Sequence, residues 1–472
     1  MNNQKSPTQL PSYITSATPA PAGARAPWYK NIAPTYGGIF LWFVFWDSMS
    51  ANGLGAGGLG AALAGVVLGA LICHFLFYLI PGLLGMSTGL PLYVVGTSTF
   101  GAVGGLIMPG FLMGALQFGW LGVNAWGVSE ALSRGFHTPG LYVPICILWT
   151  LLAAFVGIKG IQYVARVATY LPIIPFVVLI MGLVLFAGSA ADYKPTPDLA
   201  GAITGKSAGG GFAAMLLMVS AIVGFFATAG AAGVDICSNG RNAKDVSWGG
   251  IVGIIAAIVF TAGISVIAVA GARAAGVIDP GVSQMTGALQ QKLSSGMFAA
   301  VMIALTIAAF PSACFSSFIA ANSFKTTLPK VNPFFSVGIG ALLSILIAVF
   351  PFTAPANAKC AAQLPSVFGL IGASFGPIVG AMVVDYFLSG KKWSGPRAGF
   401  NPAGWIAWAL GFIVGILPNL HAWNPEVFPT VPAAPVLAFI VGAVIYFICA
   451  KVGLLTGVVP LPGKASDPEK PV

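Results

Sequence analysis

Long apolar stretches follow one another along this chain, separated by short polar interruptions. Each is about long enough to cross a bilayer core as a helix, roughly 20 residues. Twelve are predicted, at 37–57, 59–84, 105–132, 141–158, 168–189, 211–235, 248–271, 296–321, 333–352, 364–388, 403–420 and 431–453. A membrane β-barrel would instead alternate in segments of about ten residues, a pattern the chain does not carry. The predicted fold class is an all-α polytopic membrane protein.

Inside the third stretch the polar positions are patterned. Gln117, Trp120 and Asn124 in Gly119-Trp120-Leu121-Gly122-Val123-Asn124-Ala125-Trp126 fall at i, i+3 and i+7, one face of a helix. An amide left unpaired in lipid costs several kcal/mol. That face therefore either lines a cavity for a flat polar ligand, stacked on the indole and bonded to both amides, or glues helices together with the indole as packing.

Two stretches carry glycine-rich interruptions. The first holds Trp46-Asp47-Ser48-Met49-Ser50-Ala51-Asn52 followed by a run from Gly53 to Gly60. The sixth holds Gly224-Phe225-Phe226-Ala227-Thr228-Ala229-Gly230-Ala231-Ala232-Gly233. Glycine weakens a helix by about 1 kcal/mol relative to alanine. Broken helices at matching places in two halves point to a midplane binding site, whereas a single run would mean only close packing.

Composition agrees with the pattern: 57% hydrophobic and 7% charged residues, with a mean hydropathy of +0.91. The net charge of +10 acquires a meaning once the loops are assigned alternately to two sides. One side receives Lys5, Arg25, Lys30, Lys159, Arg166, Arg241, Lys244, Lys325, Lys330, Lys391, Lys392, Arg397, Lys451, Lys464 and Lys470. The other receives Arg134, Lys194, Lys206, Arg273, Lys292 and Lys359, fifteen against six. Positive charge marks the cytoplasmic side, so both termini are expected there, and no nucleic-acid partner is needed to explain the charge.

The first 34 residues, rich in Pro, Ala, Ser and Thr, read as a disordered cytoplasmic tail, and 454–472 as a second tail. Cys73, Cys146, Cys237, Cys314, Cys360 and Cys449 lack metal-like spacing and read as small apolar residues. His74, His137 and His421 are scattered. Neither a serine nucleophile elbow, a phosphate loop nor a dinucleotide fingerprint occurs in a supporting context. An enzyme is not expected, and neither is a cofactor or resident metal.

The chain resembles the nucleobase:cation symporter family, first class, the cytosine, hydantoin, allantoin and purine permeases. The likeness rests on Leu84-Gly85-Met86-Ser87-Thr88-Gly89-Leu90-Pro91 through Ser98-Thr99-Phe100-Gly101 and on the Gly119–Trp126 stretch. It continues through Asp235 to Gly240-Arg241-Asn242-Ala243-Lys244, then Leu328-Pro329-Lys330, Gly376-Pro377 and Val384-Asp385-Tyr386-Phe387-Leu388, in family order over roughly 35–395. The resemblance implies a leucine-transporter-like fold. Spans 1–5 and 6–10 would be inverted repeats forming a core over 35–395, with two further helices over 396–453. A planar heterocycle would sit between an aromatic of span 3, matched by Trp120, and one of span 6, matched by Phe226. Gln117 and Asn124 would bond its edge beside Thr228.

One departure concerns span 8, Ala304-Leu305-Thr306-Ile307-Ala308-Ala309-Phe310-Pro311-Ser312-Ala313-Cys314-Phe315-Ser316-Ser317, which lacks the asparagine the family would suggest. Ser312 and Ser316, at i and i+4, are the candidates there, Ser316 for substrate and Ser312 for a coupling cation, with helix-packing serines as the alternative. Asp47 is a carboxylate deep in span 1, a functional-site hypothesis by default. It would bind a proton, ligate a cation, bond the substrate's amino group, or cap the second half of a broken helix.

The expected function is a secondary active, cation-coupled symporter, driven by Na+ or H+. It would import a planar nitrogen heterocycle, cytosine or a related nucleobase first, then purine, hydantoin or allantoin, across the plasma membrane. A monomer is expected, with the lipid bilayer and the small heterocycle as its partners. A channel would want a polar ring or carbonyl filter, and no filter motif is read here.

Overall fold

In the computed structural model, helices occupy the predicted apolar stretches. The structure describes residues 10–21, 23, 25–159, 161–195, 210–278, 284–353 and 363–461. Cys360, Lys5, Lys206, Lys359, Lys464 and Lys470 lie outside the described residues. Among those described, ten helices are long and apolar enough to cross a membrane, and Ile32–Leu41 and Pro333–Val349 are shorter apolar helices.

The chain runs through α1 (Ile32–Leu41), α2 (Phe43–Ile72), α3 (Leu79–Thr88), α4 (Leu112–Gly135), α5 (Tyr142–Lys159) and α6 (Ile173–Phe186). It continues with α7 (Gly210–Ala231), α8 (Gly233–Cys237), α9 (Ala243–Gly250), α10 (Ala257–Ala274) and α11 (Met285–Lys292). The last helices are α12 (Ser295–Thr327), α13 (Pro333–Thr353), α14 (Gln363–Leu388), α15 (Pro402–Trp423) and α16 (Ala434–Lys451). Helix α2 packs along α7 and α10, α4 packs along α12, α13 and α5, and α14 packs along α15, α16 and α7.

The interruptions fall elsewhere than the glycine runs suggest. α1 ends at Leu41, Trp42 leaves the helix with φ −59° and ψ 122°, and α2 starts at Phe43. This break uses no glycine. It is held by the packing of the Trp42 ring against Trp120 and Phe225, at centroid distances of 6.1 and 6.2 Å. The Gly53–Gly60 run instead turns the chain from the first apolar stretch into the second. Gly58 there adopts φ 77° and ψ 177°, a conformation open essentially to glycine alone. In the sixth stretch only Ala232 (φ −63°, ψ −8°) separates α7 from α8, so that interruption is shallow.

The termini also differ from the disorder expected of them, wherever they are described. Ser12–Thr15 forms one helical turn with Leu10 and Ile14 buried, and the Tyr13 hydroxyl donates to the Ala102 carbonyl. Further along, the Ala26 amide donates to the Asn239 carbonyl at 2.8 Å. Two apolar side chains in a Pro-rich segment suffice to anchor it. After α16, the Thr456 carbonyl accepts from Arg397 Nη1 at 3.0 Å.

One very tight helix approach lies where α3 meets α8. A Cβ at Gly85 would overlap the carbonyl oxygen of Val234. Gly85→Ala should therefore lower thermal stability of the detergent-solubilised protein by at least about 1–3 kcal/mol, the cost of overpacking a close contact. An unchanged melting profile would show that α3 and α8 do not meet this closely.

Candidate functional site

Trp120 occupies the crossing of three elements. Its half-buried ring meets Phe225 edge-on at 4.8 Å, Phe368 of α14 at 5.6 Å and Trp42 at 6.1 Å. Its Nε1 donates to the Thr228 hydroxyl at 3.1 Å, which fixes the plane of the indole. The chain break at Trp42 therefore lies beside an aromatic cluster built by α4, α7 and α14. Trp42 Nε1 is buried there without a hydrogen-bond partner.

Phe225, and not its neighbour Phe226, is the span 6 ring against Trp120. Phe226 is fully buried on the other side of α7, stacked on Phe40 at 5.7 Å and tilted on Tyr36 at 5.8 Å. Consecutive helical residues point about 100° apart, so one residue decides which ring faces Trp120.

Asn124 is engaged between helices. Its Nδ2 donates to the Ala309 carbonyl at 3.2 Å and to the Ser312 hydroxyl at 2.8 Å, and its Oδ1 accepts from Trp149 Nε1 at 2.9 Å. This amide ties α4 to α5 and α12. The Ser312 hydroxyl in turn donates to the Ala309 carbonyl at 2.7 Å, and the Ser316 hydroxyl donates to the Ser312 carbonyl at 3.1 Å. Gln117 is buried, its Nε2 lying 3.6 Å from Met113 Sδ on its own helix. Of the predicted site residues, the structure brings Trp120 together with Thr228, and Asn124 together with Ser312. Phe226 and Asp47 lie apart from both pairs.

Asp47 lies past the Trp42 break, on the second turn of α2. It does not cap its own helix. Its Oδ1 accepts from the Thr286 amide at 2.7 Å and its Oδ2 from the Thr286 hydroxyl at 2.6 Å, so it caps the start of α11 from outside. A cleft beside it is lined by Ser48, Trp126, Glu130, Ala131, Arg134 and Gln284, among others.

Sequence reasoning missed Trp42, Phe225, Phe368 and Trp149. Phe225 sat beside Phe226, already singled out, and only the helix phase could have selected it. Trp42 lay four residues before the Trp46-Asp47 stretch, at a break that depends on rings from other helices. Trp149 and Phe368 belong to apolar stretches with no local polar pattern to mark them.

With this geometry in hand, the relatives are informative. Residues 19–442 match the family described as permease for cytosine/purines, uracil, thiamine and allantoin, and the chain belongs to that family. Two solved structures of Mhp1 are similar. One, a nucleobase-cation-symport-1 family transporter in a closed conformation with bromovinylhydantoin bound, shares 15% identity over 94% of this chain and 97% of that one, with a TM-score of 0.63. The inward-facing conformation shares 16% identity over 97% of both chains, at a TM-score of 0.65. A substrate-bound, outward-open Na+-coupled sialic acid symporter shares 16% identity over 94% of this chain and 93% of that one, at 0.53. No curated protein sequence matches. The chain is thus a multi-pass membrane transporter with a leucine-transporter-like fold, and not an enzyme.

Asn124→Leu should separate the binding and gluing roles of this amide. The change removes interhelical bonds to α5 and α12, each worth on the order of 0.6–1.7 kcal/mol in a membrane protein, and should lower the unfolding temperature without ligand. A variant that melts like the parent would mean the amide does not hold these helices together.

Proposed function

We propose that this permease is a secondary active symporter that imports a planar nitrogen heterocycle, cytosine or a related nucleobase first, across the plasma membrane. The observation that carries the reading is the half-buried Trp120 ring, held flat by Thr228 beside the break at Trp42. A base stacked on an aromatic ring gains about 1–3 kcal/mol. Phe225 and Phe368 close the chamber around it, while Phe226 supports the wall from behind. The Thr228 hydroxyl keeps its own proton for a ring nitrogen or carbonyl, and the unpartnered Trp42 Nε1 is a second donor. A hydantoin is the second reading, favoured by the bromovinylhydantoin bound to Mhp1.

The scaffold for this cycle is a monomer of twelve spans with both termini cytoplasmic. Joining α1 to the first half of α2 through Trp42 makes span 1, and Pro333–Val349 makes span 9. Spans 1–5 and 6–10 then form the inverted repeats, and α15 and α16 follow them.

The Ala309 carbonyl and the Ser312 hydroxyl are the pair we assign to the coupling cation. Both now accept from the Asn124 amide. A cation there would displace the amide and release it toward the chamber, which links loading of the ion to the shape of the substrate site. Two neutral oxygens suit sodium better than a proton.

Competition uptake with a panel of nucleobases and hydantoins, with and without sodium, tests the reading. Trp120→Ala and Phe225→Leu should each weaken the best competitor at least about tenfold, the equivalent of 1.4 kcal/mol of lost stacking. Phe226→Leu should weaken it less at equal surface abundance. Unchanged competition in Trp120→Ala would place the substrate elsewhere, and accumulation driven equally by a pH gradient without sodium would remove the ion from Ser312.

A further inference from the structure

Trp149 enters no step assigned above, yet it decides how the Asn124 amide is turned. It lies on α5, half-buried, with its ring edge-on to Phe310 of α12 at 5.1 Å. Its Nε1 donates to Asn124 Oδ1 at 2.9 Å. The donor and acceptor ends of an amide differ only by a half-turn, so its orientation follows from its partners.

Here the partners leave no choice. An indole nitrogen donates and never accepts, so Oδ1 must face Trp149. On the other side a backbone carbonyl accepts and never donates, so Nδ2 must face Ala309, 3.2 Å away. The Ser312 hydroxyl has committed its single proton to the Ala309 carbonyl at 2.7 Å, which leaves it an acceptor for Nδ2 at 2.8 Å. Three groups from two helices thus agree on one orientation. Asn124 is buried, where a mismatched amide is costly.

A cation on the Ala309 and Ser312 oxygens would take away both partners of Nδ2. An unrestrained amide would answer by turning over and offering Oδ1 as a third oxygen. The Trp149 bond is the one contact that opposes this rotation and lies outside the pair of oxygens assigned to the ion.

We propose that Trp149 is a positioning residue that keeps the nitrogen end of Asn124, and not its oxygen end, toward the oxygens of Ala309 and Ser312. Those oxygens are then covered by a donor until a cation displaces it, and Asn124 does not become an ion ligand. Its displaced Nδ2 becomes a donor for an acceptor atom of the heterocycle, one helical turn from Trp120. Ion affinity is thereby lowered, and arrival of the ion is felt at the substrate. The inference rests on the transport reading and on its assignment of the ion to span 8.

Uptake of the best heterocycle against sodium concentration reads the effect. Trp149→Phe removes the N–H, so half-saturation by sodium should fall at least about threefold. A packing defect would lower surface abundance or raise half-saturation, and would not tighten ion binding. Trp149→His, whose Nε2 takes the ring position of the indole nitrogen, should bring the value back toward the parent. Replacing Trp149 with 3-benzothienylalanine keeps the ring volume and puts sulfur in place of the N–H. It should act as Trp149→Phe does, and it keeps the test valid if that variant does not reach the surface. In the Asn124→Leu background, Trp149→Phe should leave half-saturation where it stands, because no amide remains to turn. With a sodium-dependent parent, half-saturation unchanged or raised in the variants lacking the N–H would overturn the proposal and leave the ion assignment intact. An equal fall in the Asn124→Leu background would also overturn it, since Trp149 would then act without the amide. A parent indifferent to sodium would overturn the ion assignment itself, and the proposal with it.

Discussion

Hydrocarbon offers no hydrogen bonds, so a polar group carried into the spans is costly unless it finds a partner within the chain. That constraint acts alongside the apolar packing around it. Asn124 spends its amide on α5 and α12, Trp120 spends its indole N–H on Thr228, and Asp47 spends both oxygens on Thr286. Asp385 is paired in the same way, with Arg397 at 3.2 Å and the Tyr446 hydroxyl at 2.8 Å, which ties α14 to α16 and to the segment before α15. Each pairing joins elements distant in sequence, and together they fix which helices meet.

The same constraint separates fixed joints from working ones. Asp385 and Arg397 are deeply buried, and Arg397 also donates to the backbone carbonyls of Ser98 and Thr456. Breaking either would strand a buried charge, a loss on the order of 3–5 kcal/mol. The bonds around Asn124 are different on the function proposed above, because a coupling cation would take over the two span 8 oxygens that now accept from its amide. Motion is cheap only where exchange of partners costs little.

How much of this the sequence discloses depends on the range of each interaction. The apolar stretches, the family and the singular Trp120 are local patterns, and all are legible. The choice between Phe225 and Phe226 is not, because one helical step carries about 100° of rotation and both rings are apolar. The break at Trp42 escaped notice because it depends on rings from α4 and α7, and not on local glycine. Asp47 stood out as a buried acid, yet its partner lies 239 residues away, on a short helix with no periodic pattern of its own. Leu10 and Ile14 were hidden by a composition that otherwise reads as disorder.

The central claim is that a planar heterocycle stacks on Trp120, and direct titration of the purified protein tests it without transport. Indole fluorescence should quench saturably as cytosine or the best heterocycle is added. That quench should persist in Trp126→Phe, whose ring borders the cleft beside Asp47, and vanish in Trp120→Phe while binding remains measurable by a radiolabelled ligand. Full quenching amplitude in Trp120→Phe would contradict the account.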